Sequence, residues 1–358
     1  MRYIIAGGGT GGHIIPALNI AYALQQIDIE AELLFFGTER GLEKDIIPGR
    51  GFNLELIDAA PWDGKSSLKN LWYSVKQVKS AIKRFHPYCA IGTGGYVSAP
   101  LALAAPIKRI PLFWQEQNTY PGIATKLASL FAKRIFLGFE DAKKHLWRGK
   151  NAIHSGNPVR LNLSSKSRRA LRKELGINPE MKTVFLTGGS QGAVPLNEAM
   201  FELVMQFGIP DDAQLLWQCG KKEYKALAEK TGGLSQRIAL YPFIDDMAVA
   251  YGASDLAICR AGALTLAEIA VAGLPAVLIP FPHAAADHQR KNAQSFTHSG
   301  SAVMIDQSDL TPALLCATIR DILNNPKRLT QMSEQVRQLG KPDAAKQIAR
   351  EILELVKS

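Results

Sequence analysis

Three glycine clusters carry the residue types most able to do chemistry. They are Gly7-Gly8-Gly9-Thr10-Gly11-Gly12-His13, Gly92-Thr93-Gly94-Gly95-Tyr96 and Gly188-Gly189-Ser190-Gln191-Gly192-Ala193, each directly after a short apolar run. A glycine-rich turn between a strand and a helix lets the main chain approach a ligand, and the amides of the helix's first turn favour negative charge. Phosphate binding is therefore expected at the first and third clusters, which occupy matching places; the competing reading is that these glycines only make tight turns. Gly7, Gly9 and Gly12 satisfy GxGxxG, yet the first acidic residue after the second strand, Glu39, stands 27 residues beyond Gly12, too far for a dinucleotide site. No GxxxxGK[ST] is present, so phosphoryl transfer is unsupported and hydride transfer stays a minor option. His13 closes the first cluster, and an imidazole can take a proton near neutral pH; it is a candidate base, a candidate acceptor-phosphate contact, or a packed helix-entry residue. His283 and His288 are five residues apart, off the helical i, i+4 face, and no metal site is expected.

Such residues need a frame. Short β-type runs alternate with helical stretches, which predicts an α/β chain with parallel sheets covered by helices. Strands are expected at Tyr3 to Ala6, Glu32 to Phe36, Thr183 to Thr187, Leu215 to Gln218, Ile238 to Tyr241, Leu256 to Ile258 and Ala276 to Ile279, and a helix at Pro16 to Gln26 with Pro16 near its first turn. The rhythm restarts at Thr183. Gly156-Asn157-Pro158-Val159-Arg160 and the polar stretch Ser164 to Arg169 read as a domain boundary, giving an N-terminal domain over 1–160 and a C-terminal one over 161–342. The amphipathic helix over 343–358 is too short to stand alone and is expected to dock back on the N-terminal domain.

With 358 residues, 47% hydrophobic and 21% charged, the chain has globular composition and room for two cores. Cys89, Cys219, Cys259 and Cys316 form no CxxC pair, which argues against a zinc knuckle or a disulfide framework and fits a reducing compartment. Neither of the longest apolar runs reaches the roughly 18 residues of a membrane span, and the first residues lack a secretory signal, so an intracellular chain is expected. The net charge of +10 is concentrated: residues 1–64 carry −5, residues 65–150 carry +12 and the rest +3. A local basic field suits an anionic partner. Within it Leu68, Leu71, Trp72 and Val75 repeat at helical spacing beside Lys69, Lys76, Lys79, Lys83 and Arg84, a pattern for a helix that dips into an anionic membrane surface, or for one that turns its stripe to the core. No nucleic-acid motif accompanies the charge, so no nucleic-acid partner is expected.

The most specific segment is Cys259-Arg260-Ala261-Gly262-Ala263-Leu264-Thr265-Leu266-Ala267-Glu268, continuing through Pro280-Phe281-Pro282-His283 to Asp287-His288-Gln289. With GGGTGGHIIPAL, IGTGGYVSAP, WQEQN, GNPVR, TGGSQGA and PFIDDM, it resembles the MurG family of N-acetylglucosaminyltransferases, from Arg2 to about Asn292. The resemblance implies a GT-B glycosyltransferase: two Rossmann-like domains with parallel sheets facing a cleft, UDP-N-acetylglucosamine on the C-terminal one and lipid I on the N-terminal one. It also implies peripheral attachment at the cytoplasmic face of the bacterial membrane, and no cofactor. It implies that Glu268 accepts both ribose hydroxyls, that Ile244 meets uracil through its main chain, and that Ser190 with Arg160 faces the nucleotide phosphates. Ala263, Leu264, Thr265, Asn118 and Gln289 would hold the sugar or adjoining phosphate, within a donor segment that includes Leu266 and Ala267. Thr10, Gly11 and Gly12 would close over the donor. Gln115, where family members often have histidine, and His288, where glutamine can occur, depart from the pattern.

The chemistry agrees independently. Transfer from a UDP-sugar must stabilise a diphosphate leaving group, and no Asp-x-Asp motif is present to carry a metal. A helix from Leu264 to Ala272, opened by Gly262, would offer amides instead. An epimerase of the same fold and a non-catalytic UDP-sugar- or lipid-binding subunit remain as alternatives.

Overall fold

The computed structural model describes residues 1–61, 65–161, 163, 165–232 and 237–357, with only the main chain at 65–68. Ser164 and the side chain of Leu68 lie outside the described residues. The chain divides into two compact units, Met1–Arg160 with Lys341–Ser358, and Leu161–Gly340.

The first unit runs β1 (Arg2–Ala6), α1 (Gly11–Ile27), β2 (Glu32–Gly37), α2 (Glu43–Gly49), β3 (Asn53–Leu56), α3 (Lys65–Phe85), β4 (Cys89–Gly92), α4 (Ala99–Ile107), β5 (Leu112–Glu116), α5 (Ile123–Ala128), β6 (Arg134–Leu137) and β7 (Ala152–His154). All seven strands are parallel, in the order β3-β2-β1-β4-β5-β6-β7. The second unit runs α6 (Arg168–Glu174), β8 (Lys182–Thr187), α7 (Val194–Phe207), β9 (Ala213–Gln218), α8 (Tyr224–Thr231), β10 (Ile238–Tyr241), α9 (Met247–Ala253), β11 (Leu256–Cys259), α10 (Ala263–Ala272), β12 (Ala276–Leu278), α11 (His288–His298), β13 (Ala302–Met304), α12 (Pro312–Leu323) and α13 (Pro326–Leu339). Its six strands, also parallel, are ordered β10-β9-β8-β11-β12-β13. The chain is thus two parallel-sheet α/β domains. Strands such as Tyr3-Ile4-Ile5-Ala6 and Leu256-Ala257-Ile258-Cys259 are buried on both faces, which is why they read as unbroken apolar runs.

Each sheet reverses its winding once, between β1 and β4 and between β8 and β11. The loops that leave neighbouring strands there diverge to opposite faces and open a crevice at the carboxyl ends, the usual ligand position in such sheets. All three glycine clusters leave strands at these reversals.

Two helices of the first unit differ from the sequence reading. The first helix begins at Gly11, so Pro16 lies inside α1 rather than in its first turn. The carbonyl that Pro16 cannot serve belongs to Gly12, which is exposed at the helix entrance, so the missing bond falls where solvent can replace it. The apolar stripe of α3 also divides: Val75 packs against the core with buried Val78, Ala81 and Ile82, whereas Trp72 and Tyr73 point outward, Lys76 lying 3.4 Å over the Trp72 ring.

The last helix, α14 (Ala344–Lys357), packs on α1, burying Ile348, Ala349, Ile352 and Leu353 in the same cluster as Ile14, Leu18 and Leu24. It therefore stiffens the helix whose N-terminus carries His13. Ile352→Ala is expected to lower the stability of the first unit by about 2–5 kcal/mol, the cost of a large-to-small change in a sealed core. Hydrogen exchange should quicken in peptides from β1 to β5 and stay unchanged in β8 to β12.

Candidate active site

In the second unit, Thr187 of β8 pairs with Cys259 of β11, so Gly188 and Arg260 leave the sheet side by side. A cavity of about 620 Å³ opens between them, lined by Gly188, Gly189, Arg260, Gly262, Thr265 and Gln289 among others. The glycine loop can turn this tightly only without side chains: at Gly192 (φ 76°) a Cβ would lie 2.1 Å from the Cys219 carbonyl oxygen.

Arg260 is a residue that the motif contained and sequence reasoning left without a role. Its Nη1 donates to the carbonyls of Ile279 (3.2 Å) and Pro280 (3.1 Å), and its Nη2 to Gln307 Oε1 (2.6 Å). Among the described residues no carboxylate pairs with it. Burial pushes its pKa down to about 10, which leaves it a cation at neutral pH. A half-buried guanidinium without a counter-ion is costly unless an anion completes it. Gly262 caps α10 with no side chain, so the Leu264 and Thr265 amides, which have no acceptor inside the helix, add a second positive end at the same cavity. Both features favour a diphosphate.

Glu268 lies three residues beyond Thr265, on the same face of α10. Oε2 of Glu268 accepts a hydrogen bond from the Tyr251 hydroxyl at 2.9 Å, and burial raises the Glu268 pKa from 4.5 to about 7. Ser190 is exposed in the glycine loop, while Ala263 and Ala267 belong to α10. Leu266 corrects the expected donor segment: its side chain is fully buried and its amide donates to the Gly262 carbonyl, closing the first helical turn, so neither can meet a ligand. The Ile244 amide is likewise engaged, donating to Gln218 Oε1 at 2.8 Å. Gln218 in turn donates to Thr187 Oγ1 (3.0 Å) and the Gly189 carbonyl (3.3 Å), tying the Ile244 loop to the glycine loop. Gln289 Oε1 accepts from the Phe281 amide at 3.0 Å. Nothing local in the sequence distinguishes Gln218 or Gln307, because their roles depend on strands and loops far apart in the chain.

The first unit holds His13, Thr10, Gly11, Gly12, Asn118 and Arg160. His13 Nδ1 lies 3.0 Å from the Thr93 carbonyl oxygen and 2.9 Å from Gln117 Oε1. Gln117 Nε2 donates to that same carbonyl at 2.8 Å, which fixes the amide's orientation. Both partners of Nδ1 are then acceptors, so Nδ1 carries a proton, and in the neutral ring the lone pair is on Nε2. Gln117 is held by Gln115, whose Nε2 donates to Asn157 Oδ1 at 3.0 Å; Gln115 thus serves in a neutral amide network. Thr10 and Gly12 are exposed beside His13. Glu43, fully buried, accepts from the Gly9 amide (3.0 Å) and from Thr38, anchoring the loop. Asn118 is held by Glu116 through its amide (2.9 Å) and Nδ2 (3.3 Å), and Arg160 stacks 4.7 Å over Tyr22.

Residues 3–137 match the model of the glycosyltransferase family 28 N-terminal domain and residues 183–348 that of the family 28 C-terminal domain. Two curated relatives are each called UDP-N-acetylglucosamine–N-acetylmuramyl-(pentapeptide) pyrophosphoryl-undecaprenol N-acetylglucosamine transferase. The one from Acetivibrio thermocellus is 35% identical over 100% of this chain and 99% of its own. That from Symbiobacterium thermophilum is 38% identical over 99% and 96%. The chain belongs to the MurG family. A solved structure of MurG from Acinetobacter baumannii superposes with a TM-score of 0.81 at 29% identity, each chain covered to 99%. The UDP-GlcNAc 2-epimerase from Neisseria meningitidis, bound to UDP-GlcNAc, shares the fold at a TM-score of 0.69 but only 13% identity, over 99% of this chain and 100% of that one. MurG-type transfer, a hexosyltransferase activity, is thus favoured over epimerisation.

The raised Glu268 pKa has a pH signature. A carboxylate that accepts ligand hydroxyls must be ionised, so UDP affinity should rise with pH and level off above about 7, falling about tenfold per unit well below it. In Glu268→Gln that limb should vanish, while the diphosphate's own titration, common to both proteins, cancels; calorimetry from pH 5.5 to 8.5 checks this. For folding, the native state holds the proton more tightly than the unfolded chain, so this group's contribution to stability is fully present below about 4.5 and is lost as pH rises through about 7.

Proposed function

We propose that this protein transfers N-acetylglucosamine from UDP-N-acetylglucosamine to the 4-hydroxyl of the N-acetylmuramoyl sugar of lipid I, with inversion, releasing UDP and lipid II for peptidoglycan synthesis. The observation that carries the reading is the cavity of the second unit, where a guanidinium with no carboxylate partner among the described residues meets the N-terminus of α10, with Glu268 three residues beyond Thr265 on that helix, in a chain with full-length MurG relatives. The uridine ribose lies on Glu268 and the uracil on the Ile244 main chain. The pyrophosphate lies by Ser190, Arg260 and the amides of Leu264 and Thr265. Thr265, Gln289, Ala263 and Asn118 bind the sugar or the adjoining phosphate. As the bond between sugar C1 and the phosphate oxygen breaks, negative charge grows on the β-phosphate, and fixed positive groups stabilise it without rearranging. The acceptor 4-oxygen forms the new bond to C1 and its proton passes to Nε2 of His13. Arg160 and Thr10 to Gly12 contribute to holding phosphate.

Purified protein with UDP-N-acetylglucosamine and a lipid I analogue should yield UDP and the disaccharide product. Arg260→Ala should lower turnover at least about 100-fold, the scale for one oxyanion-stabilising donor. His13→Ala should lower kcat about 100- to 10,000-fold with UDP affinity kept, as for a lost base. A rise confined to the acceptor KM would instead make His13 a phosphate contact. Production of a rearranged sugar without acceptor would overturn the transferase reading in favour of an epimerase, and UDP binding without turnover would favour a binding subunit.

The acceptor is carried by a lipid, and the basic segment 65–150 is the surface we assign to an anionic bilayer. No helix among the described residues is long and apolar enough to cross a membrane. Helix α3 packs on α4 and α4 on α5; these elements expose Trp72, Tyr73, Ile107 and Ile123, and α3 also exposes Lys69, Lys76, Lys83 and Arg84. Exposed aromatic groups among cations suit peripheral attachment. Lys76→Glu with Lys79→Glu should weaken sedimentation with anionic vesicles at least about tenfold, at roughly 1 kcal/mol per basic side chain. Unchanged sedimentation would remove α3 from the membrane surface.

A further inference from the structure

Three carboxylates are built into the loops and helices around the two sheet reversals, and they are not equivalent. Glu43 accepts from the Gly9 amide, the Thr38 amide and the Thr38 hydroxyl; Glu116 accepts from the amides of Asn118 and Gly122 and from Thr125 Oγ1. Both are filled by their own loops. For Glu268 one donor is described, the Tyr251 hydroxyl, 2.9 Å from Oε2. Tyr251 is 2% exposed on α9, its ring edge-on to Phe185 of β8 with centroids 5.8 Å apart. Packing alone would be met by phenylalanine. A hydroxyl buried at this depth must be partnered, and its single partner is the carboxylate assigned to the nucleotide. Burial holds the Tyr251 hydroxyl protonated well beyond the usual tyrosine range, so it remains a donor at every working pH.

We propose that Tyr251 is a positioning residue for nucleotide recognition: its hydroxyl fixes the Glu268 carboxylate as a pair of acceptors for the two ribose hydroxyls, and the enzyme thereby selects a ribonucleoside diphosphate over its 2′-deoxy counterpart. This rests on the reading that Glu268 meets the ribose. With Oε2 tethered, rotation of the carboxylate is opposed by the loss of that bond, and Oε1 with the second lone pair of Oε2 has no described donor and can accept from a ligand. Without the tether the group can rotate, and it takes up a proton more readily because a donor that favoured its charged form is gone. The other titratable group against it is the Cys259 thiol of β11, pushed up to about 12 by burial and therefore neutral. No basic side chain of α11 or α13 pairs with Glu268 among the described residues.

The test is calorimetric titration of UDP and 2′-deoxy-UDP into the wild type, Tyr251→Phe and Glu268→Asp. The wild type should prefer UDP by about tenfold or more, the scale of a hydrogen bond to a charged group. Tyr251→Phe keeps the ring and its packing. It should bind UDP about fivefold or more weakly with 2′-deoxy-UDP little changed, and recover part of the loss between pH 7 and 8.5 as the carboxylate ionises. Glu268→Asp, which draws the carboxylate away from the hydroxyl, should show the same collapse of preference without touching the core. An undiminished preference in Tyr251→Phe overturns the proposal and leaves the ribose reading intact. Equal loss of both nucleotides at every pH overturns it in favour of a packing role. Absence of any preference in the wild type overturns the ribose reading itself, and the proposal with it.

Discussion

The pairing register at the two sheet reversals is the constraint on which the rest of the molecule depends. Because Thr187 stands opposite Cys259, the glycine loop and Arg260 emerge together; because Ala6 stands opposite Gly92, Gly7 emerges beside Thr93. A parallel register evenly spaces the ladder and leaves no freedom to slip without moving every buried side chain to the opposite face of the sheet and disrupting the packing there. Each site is thus held by a few rungs of main-chain hydrogen bonding rather than by the loops themselves. The contact is close: a Cβ on Gly7 would stand 1.9 Å from Thr93 Oγ1.

On that frame, charge is distributed by how completely each group is satisfied. Among the described residues Arg260 donates to carbonyl and amide oxygens and lies over the Phe281 ring, with no carboxylate partner, and Glu268 has one donor, so the second unit offers a cation and a carboxylate of the kind a nucleoside diphosphate requires. The first unit is built the opposite way. Glu43 and Glu116 are saturated by loop amides and hydroxyls, and His13 is oriented by a chain of neutral amides, Gln117, Gln115 and Asn157. Such a network orients the ring without adding charge beside it. The glutamine at position 115 accordingly donates to Asn157 and accepts from Gln117, which only a group with both a donor and an acceptor can do.

The surface proposed for the membrane and the helix entrance that carries His13 lie on different parts of the same unit. The core-facing side of α3 supplies Val75, Val78 and Ile82 to the packing beneath the sheet, while its outer side keeps Trp72 and the lysines for solvent or lipid.

The sequence by itself determined the alternation of strands and helices, the three glycine turns and the segment from Cys259 to Glu268, because each is written in local residue type and spacing. Tertiary structure decided the rest. Pro16 could be interior to α1 only because the glycine loop starts the helix five residues earlier. Leu266 is buried, and Ile244 has spent its amide, because of where α10 and Gln218 sit against the sheet. Gln218, Tyr251 and Gln307 carry no local mark, since hydrogen bonds to partners 17 to 47 positions away confer their roles. Periodicity records which face of an element is apolar; it holds no record of which distant donor will meet which acceptor, and that is settled only when parallel strands bring the ends of their loops together.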